Sequence, residues 1–216
     1  MKKIFIAVDT TDLKKVKKII AQSQTNKVKI GYKFGLEFMN SKKGRIFVSK
    51  LKNKIIFIDL KLNDTVNTML SAVKALKDLK INYLTVHISS GLAALKAVKK
   101  ISRCKIVGVT TLTSLNNKDL KTIGYNRSVK NLVAHQAKLA SRAGLDALVC
   151  SPYEVDIVRK IFKKEIITPG VQIGKRNYDQ KRSMEAKKVN SDWLVIGRSL
   201  THGNIKNNIQ KLIKSL

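Results

Sequence analysis

A chain of 216 residues is long enough for one sizeable core and falls within the single-domain range of an α/β barrel. With 44% hydrophobic residues and two prolines it is neither disordered nor collagen-like, and no apolar run approaches the ~20 residues of a membrane helix. The formal net charge of +30 comes from 44 basic and 14 acidic residues. The lysines are spread through nearly every helical segment rather than gathered in one patch. This argues against nucleic acid as a partner and leaves a field that favours an anionic small molecule.

In chain order, strand-like and helix-like segments alternate throughout. Residues 4–8 form a short apolar run. The first eight residues resemble the start of a signal peptide, but Asp9 and Asp12 cut that run short, so it reads as a strand of a cytoplasmic protein. Residues 11–22 have helical spacing, with Leu13, Val16, Ile19 and Ile20 on one face. A second strand is predicted over 28–34 and a helix over 36–52. The third strand, 54–60, leads into a helix over 65–80, with Asn63 or Asp64 suited to its N-cap.

Further on, 83–88 is a strand, 92–101 a helix and 105–112 a strand, followed by a longer loop over 113–127. A helix over 129–143 is stopped by Gly144. Residues 147–150 form the sixth strand, and Pro152 opens a helix through residue 162. The seventh strand, 165–168, ends at Pro169-Gly170. A polar loop over 171–178, a short helix over 180–189, an eighth strand over 193–197 and a closing helix over 205–216 complete the chain.

Eight such alternations argue for α/β architecture as a (β/α)8 TIM barrel, one domain over residues 1–216. The alternative, an open doubly wound sheet, usually carries a Gly-rich first turn, and here Asp9-Thr10-Thr11-Asp12 follows the first strand. Cys104 and Cys150 lack metal-ligand spacing and read as reduced thiols. No His/Asp/Glu cluster has metal spacing, so no metal is expected.

The stretch that calls for explanation is Phe57-Ile58-Asp59-Leu60-Lys61-Leu62-Asn63-Asp64. On a strand, alternate side chains share a face, so Asp59 and Lys61 point the same way at the end of a buried strand. Barrel active sites lie at the C-terminal strand ends. Those ends carry Asp9, Lys33, Asp59 with Lys61, His87, residues 110–113, Ser151, Thr168-Pro169-Gly170 and Gly197-Arg198. Gly170 and Gly197-Arg198 fall where this fold often binds phosphate, with backbone N–H groups and the guanidinium as donors. His87 reads as a hydrogen-bonded structural histidine, and His135 and His202 as surface or helix residues. Trp193 and the tyrosines read as packing.

These residues resemble the orotidine 5'-phosphate decarboxylase family over nearly the whole chain. Asp59-Leu60-Lys61-Leu62-Asn63-Asp64 looks like the family's D-x-K-x-x-D signature. Matching pieces in the same order are Ala7-Val8-Asp9, Thr85-Val86-His87, the stretch 109–114, Gly144-Leu145-Asp146, Val149-Cys150-Ser151, Thr168-Pro169-Gly170, Asp179-Gln180 and Val195-Ile196-Gly197-Arg198. The resemblance implies a homodimer that converts orotidine 5'-monophosphate to UMP and CO2 without a cofactor, in pyrimidine biosynthesis. It implies a charged array of Lys33, Asp59, Lys61 and Asp64, with Asp64 acting in the partner subunit's site and Thr68 near the partner's ribose. Asp9 is expected on the ribose hydroxyls, Thr113 on the pyrimidine, and Gln180, Gly197 and Arg198 on the phosphate side.

Three lysines, Lys27, Lys29 and Lys33, compete for the strand-two position. Lys33-Phe34-Gly35-Leu36-Glu37 fits the family's K-x-G-x-E pattern, whereas Lys29-Ile30-Gly31-Tyr32-Lys33 lacks the glutamate. Two departures stand out. Asn63 replaces the usual histidine of the signature. Gln172 follows Val171 where the family usually has arginine, which leaves a substrate-binding position without its cation. The alternative is a Mg-dependent sugar-phosphate decarboxylase or synthase of the same barrel superfamily, against which Thr113, Gln180 and Arg198 speak.

Overall fold

The computed structural model describes residues 2–173 and 184–216. Its strands are β1 (Lys3–Val8), β2 (Lys29–Gly35), β3 (Ile55–Leu62), β4 (Tyr83–His87), β5 (Lys105–Val109), β6 (Ala147–Val149), β7 (Glu165–Thr168), β8 (Val171–Gln172), β9 (Met184–Glu185) and β10 (Trp193–Ile196). Eight of them close into a parallel barrel in the order β1-β10-β7-β6-β5-β4-β3-β2, while β8 and β9 pair separately. The predicted TIM barrel is therefore the observed fold. Its eighth strand in sequence is β10.

Strands covered on both faces need apolar side chains on both. Ile4, Ile6 and Val8 of β1 pack outward under the helices. Phe5 and Ala7 point into the barrel with Phe57, Tyr83, Val107, Ala147, Ile167, Trp193 and Val195. Phe5 stacks on Trp193 with ring centroids 4.0 Å apart. Its ring fits because Gly31 lies opposite it in register. A Cβ at residue 31 would come within 2.6 Å of the Phe5 ring.

The strand starts are tied together by side chains that precede the even-numbered barrel strands. Asn82 Oδ1 accepts from the Ile56 N–H at 2.8 Å, Asp146 Oδ2 from Ile106 at 2.9 Å and Asp192 Oδ2 from Ile166 at 2.8 Å. Each of these three residues also donates its own N–H to the carbonyl of the same strand residue. The lower end of the barrel is thereby fixed by paired backbone and side-chain bonds.

The helices are α1 (Leu13–Gln22), α2 (Leu36–Asn40), α3 (Gly44–Ser49), α4 (Val66–Ala75), α5 (Gly91–Ile101), α6 (Asn117–Thr122), α7 (Val129–Arg142), α8 (Val155–Ile161), α9 (Arg198–Thr201) and α10 (Ile205–Ser215). Several differ from expectation. The single helix over 36–52 is two, broken where Gly44 turns so tightly that a Cβ would lie 1.7 Å from the Phe38 carbonyl oxygen. The N-cap of α4 is Thr65, not Asn63 or Asp64. The loop over 113–127 contains α6, started by a capping box between Asn116 and Asp119. Pro152 opens a 3-10 turn before α8. Residues 184–189, assigned to a helix, form β9 and a 3-10 turn, and residues 180–183 of that helix lie outside the described residues. Among the described residues no helix is long and apolar enough to cross a membrane.

Candidate active site

The site grows from an irregularity in β3. Ile58 pairs with Leu84, but Leu62 pairs with Val86, so β3 spends two extra residues between those points. The bulge puts Lys61 in the left-handed region, with φ 51°. Its N–H, displaced from the ladder, donates instead to Thr85 Oγ1 at 2.7 Å. The Thr85 hydroxyl donates onward to Asp59 Oδ1 at 3.1 Å. Asp59 and Lys61 do face one cavity, as strand alternation predicts, but a bulge rather than a regular strand puts them there.

Asp59 lies between two ammonium groups. Lys61 Nζ is 3.0 Å from its Oδ1 and Lys33 Nζ is 3.4 Å from its Oδ2. Lys33 also reaches Asp9 Oδ1 at 3.6 Å, so the order is Asp9–Lys33–Asp59–Lys61. Burial alone would raise the Asp59 carboxyl, but Lys33, Lys61 and the hydrogen bonds from Lys61 and Thr85 outweigh it and hold the group below its ordinary range. Lys29 stands at the opposite end of β2 and is exposed. His87 is half-buried beside the array. Burial, and then the positive charge of Lys61, lower its tendency to take a proton, with Asp59 opposing.

Above the array opens a cavity of about 840 Å³. Asp9, Lys33, Asp59, Lys61, Thr113, Gln172, Gly197 and Arg198 all line it. Asp64 and Thr68 do not. Both are exposed, beyond the strand end. Asp64 Oδ1 accepts from the Thr65 N–H at 2.6 Å, a bond that lowers its carboxyl below the ordinary value. The hydroxyls of Thr65 and Thr68 are 3.1 Å apart. Within one subunit the charged row is Asp9–Lys33–Asp59–Lys61, and Asp64 stands apart from it beyond β3. Asp179 and Gln180 lie outside the described residues.

Four residues at or beneath the cavity were not anticipated as site residues. Thr85, fully buried, orients both Asp59 and the Lys61 backbone. Gln136 of α7 accepts from the Thr111 N–H at 2.8 Å and its hydroxyl at 3.1 Å, fixing the β5 end that carries Thr113. Their signals were a threonine inside the run Tyr83-Leu84-Thr85-Val86, and a glutamine on the inward face shared with Leu132, Val133 and Ala140. His202, assigned to the surface, is exposed but stands at the cavity wall with Ser199 and Asn208. Cys150 also borders the cavity, with burial pushing its thiol up to about 12. Among the described residues no group of three or more His, Cys, Asp or Glu side chains is arranged to hold a metal ion.

A closed parallel barrel with a carboxylate held between lysines at its C-terminal strand ends defines a TIM barrel with a charged cavity floor, where enzymes of this fold carry their active sites. The orotidine 5'-phosphate decarboxylase / HUMPS family matches residues 2–210, and the chain belongs to it. It is 41% identical to the orotidine 5'-phosphate decarboxylase of Wolbachia sp. subsp. Brugia malayi and 40% identical to that of Wolbachia pipientis subsp. Culex pipiens. These alignments cover 100% of this chain and 100% and 99% of the relatives. The crystal structure of the Lactobacillus acidophilus orotidine 5'-phosphate decarboxylase superposes with a TM-score of 0.81 at 28% identity, covering 100% of this chain and 99% of that one. The activity is that of an orotidine 5'-phosphate decarboxylase, a carboxy-lyase of pyrimidine biosynthesis.

Proposed function

We propose that decarboxylation runs on the charges of Lys33, Asp59 and Lys61, with no cofactor as electron sink, and that one homodimer shares two such sites. The observation that carries this is Asp59 seated between two ammonium groups on the cavity floor. Heterolysis of the C6–carboxylate bond of orotidine 5'-monophosphate releases CO2 and leaves the electron pair on C6, in the plane of the ring. An ammonium beside C6 stabilises that carbanion, and Lys61 then donates a proton to C6 to give UMP, regaining its proton from solvent. Asp59, held ionised, faces the departing carboxylate and fixes Lys61. Lys33 balances Asp59 on its other side.

In this reading Asp9 binds ribose hydroxyls, Thr113 contacts the pyrimidine, and Gln172, Gln180, Gly197 and Arg198 hold the phosphate. Phosphate contacts remote from C6 supply binding energy to the reacting centre. The whole 216-residue chain acts as one cytoplasmic domain; barrel closure between β1 and β10 and two free cysteines support this. The Mg-dependent sugar-phosphate alternative loses ground because the relatives at about 40% identity are named as orotidine 5'-phosphate decarboxylases.

Asp64 and Thr68 enter the partner subunit's site. Support comes from their exposure beyond β3 and from the exposed Val66 between them, an apolar residue suited to a subunit contact. Subunit mixing tests this. Lys61→Ala and Asp64→Ala homodimers are each expected to be nearly inactive. In a mixed dimer, the Asp64→Ala chain keeps its own Lys61 and borrows an intact Asp64. Random exchange makes half the dimers mixed, each with one working site, so activity recovers to roughly a quarter of wild type by the symmetry of a two-fold pair. Exchange without recovery places Asp64 in its own subunit's site or in none.

A further inference from the structure

We propose that His202 is a second phosphate-contacting residue of this site, one helical turn beyond Arg198, and that Asn208 positions it. The proposal rests on the reading of the β10–α9 side of the cavity as its phosphate end. His202 is the C-cap of α9, four residues after Arg198 at the start of that turn. The His202 N–H donates to the Arg198 carbonyl at 3.1 Å, so the two backbones are directly linked. Both side chains belong to residues that line the cavity.

The backbone at 202 is held in place. Asn208 Nδ2 donates to the His202 carbonyl at 2.7 Å and to the Leu200 carbonyl at 3.1 Å, binding the end of α9 to α10. Gly203 follows with φ 69°, a conformation that lets the chain turn sharply into α10. Asn204 then caps α10, accepting from the Asn207 N–H at 3.1 Å. The imidazole itself makes no hydrogen bond or ion pair among the described residues and is exposed. A neutral imidazole keeps one N–H donor in either tautomer, and a charged one has two.

The surroundings select for an anion. Arg198 is the cation on this wall of the cavity, and from residue 193 to the C-terminus the chain contains no Asp or Glu. The carboxylates among the residues that line the cavity are Asp9 and Asp59, and Lys33 engages both. With glutamine rather than a cation at residue 172, the added donor is supplied from residue 202. The ligand group is the substrate's phosphate dianion.

The test compares His202→Ala, His202→Gln, Asn208→Ala and Arg198→Ala on orotidine 5'-monophosphate and on orotidine, which lacks the phosphate. His202→Ala should raise KM for the nucleotide roughly tenfold, the loss of one donor to a charged acceptor, with kcat little changed. Its kcat/KM for orotidine should match wild type. His202→Gln, which keeps a donor, should recover part of the loss. Asn208→Ala should raise nucleotide KM less than His202→Ala and add nothing to it in the double variant. Because residue 202 is exposed, its variants should melt with wild type. If His202→Ala affects both substrates equally or neither, while Arg198→Ala discriminates, His202 is no phosphate contact and the Arg198 reading stands. If His202→Ala discriminates and Arg198→Ala does not, the role of Arg198 falls and that of His202 survives.

Discussion

At each end of the barrel a carboxylate lies between two lysines. At the strand ends Asp59 sits between Lys33 and Lys61. At the strand starts Glu165 sits between Lys3, at 3.2 Å, and Lys105, at 2.8 Å. The lower carboxylate is also a hydrogen-bond acceptor for the Tyr83 hydroxyl at 2.9 Å and the Trp193 indole N–H at 3.4 Å. Four donors use up its lone pairs, and the Phe5, Phe57, Tyr83 and Trp193 rings fill the space above it. The upper carboxylate has one hydroxyl and two ammoniums, and the space above it is the cavity. Equal charge composition is thus saturated and walled in at the strand starts, and at the strand ends it faces open volume, where the proposed mechanism uses it.

Exchanging the roles experimentally is the sharpest way to break this comparison. If Lys61 is the proton donor as proposed, Lys61→Ala should lower kcat on the order of 10⁴-fold and leave the melting temperature nearly unchanged. If kcat falls less than tenfold, the upper array is not the catalytic floor.

The mirror-image change, Glu165→Gln, should leave kcat intact and lower stability by roughly 2 kcal/mol, because two lysines lose their shared partner. Its pH signature follows from the direction of the shift. Burial alone would raise the Glu165 carboxyl, but Lys105, Tyr83 and Lys3 hold it below its ordinary value. Its stabilisation is therefore full above that ordinary value and lost as pH falls through the depressed one. Urea titrations should show the gap between wild type and Glu165→Gln wide at neutral pH and closing on acidification. At high pH, burial and then Glu165 hold the Tyr83 phenol up to about 12. That contribution is present below pH 10 and lost as pH rises toward 12, and earlier in the variant.

The smallest effect tests how the upper array is held. Thr85→Val removes the bond to Asp59 and strands the Lys61 N–H, and should lower kcat about tenfold with KM little changed. Thr85→Ser should restore it. If Val and Ser behave alike, packing rather than the hydroxyl sets the geometry.

What could be read from the sequence follows the same division. The barrel was legible because each strand is a short apolar run and each helix an amphipathic one, and Gly144 marks a helix end as propensity dictates. Asp59 and Lys61 were legible because they are neighbours in sequence. Thr85, quoted only within a family-matching piece, and Gln136 were given no site role, since a lone polar residue in an apolar pattern does not announce its partner 26 or 25 residues away. The break between α2 and α3 was hidden because no proline lies in residues 36–52 and a single glycine, Gly44, is tolerated in a helical reading. The β8–β9 pair was invisible because two-residue strands carry no periodicity. His202 escaped because its place depends on a turn at Gly203 and a clamp from Asn208, neither of which marks a histidine as different from any surface residue.

The left-handed backbone at residue 61 sets stability against chemistry in a single position. A side chain there costs roughly 1 kcal/mol that glycine would not incur, and asparagine would incur less of it. Selection for thermal tolerance alone, or a design protocol that ranks sequences by folding energy, would therefore discard lysine at residue 61, from which its ammonium reaches Asp59. A stabilised descendant of this protein has to gain its margin elsewhere, and the crowded strand starts around Glu165 are the part of the barrel that can be reinforced without touching the reaction.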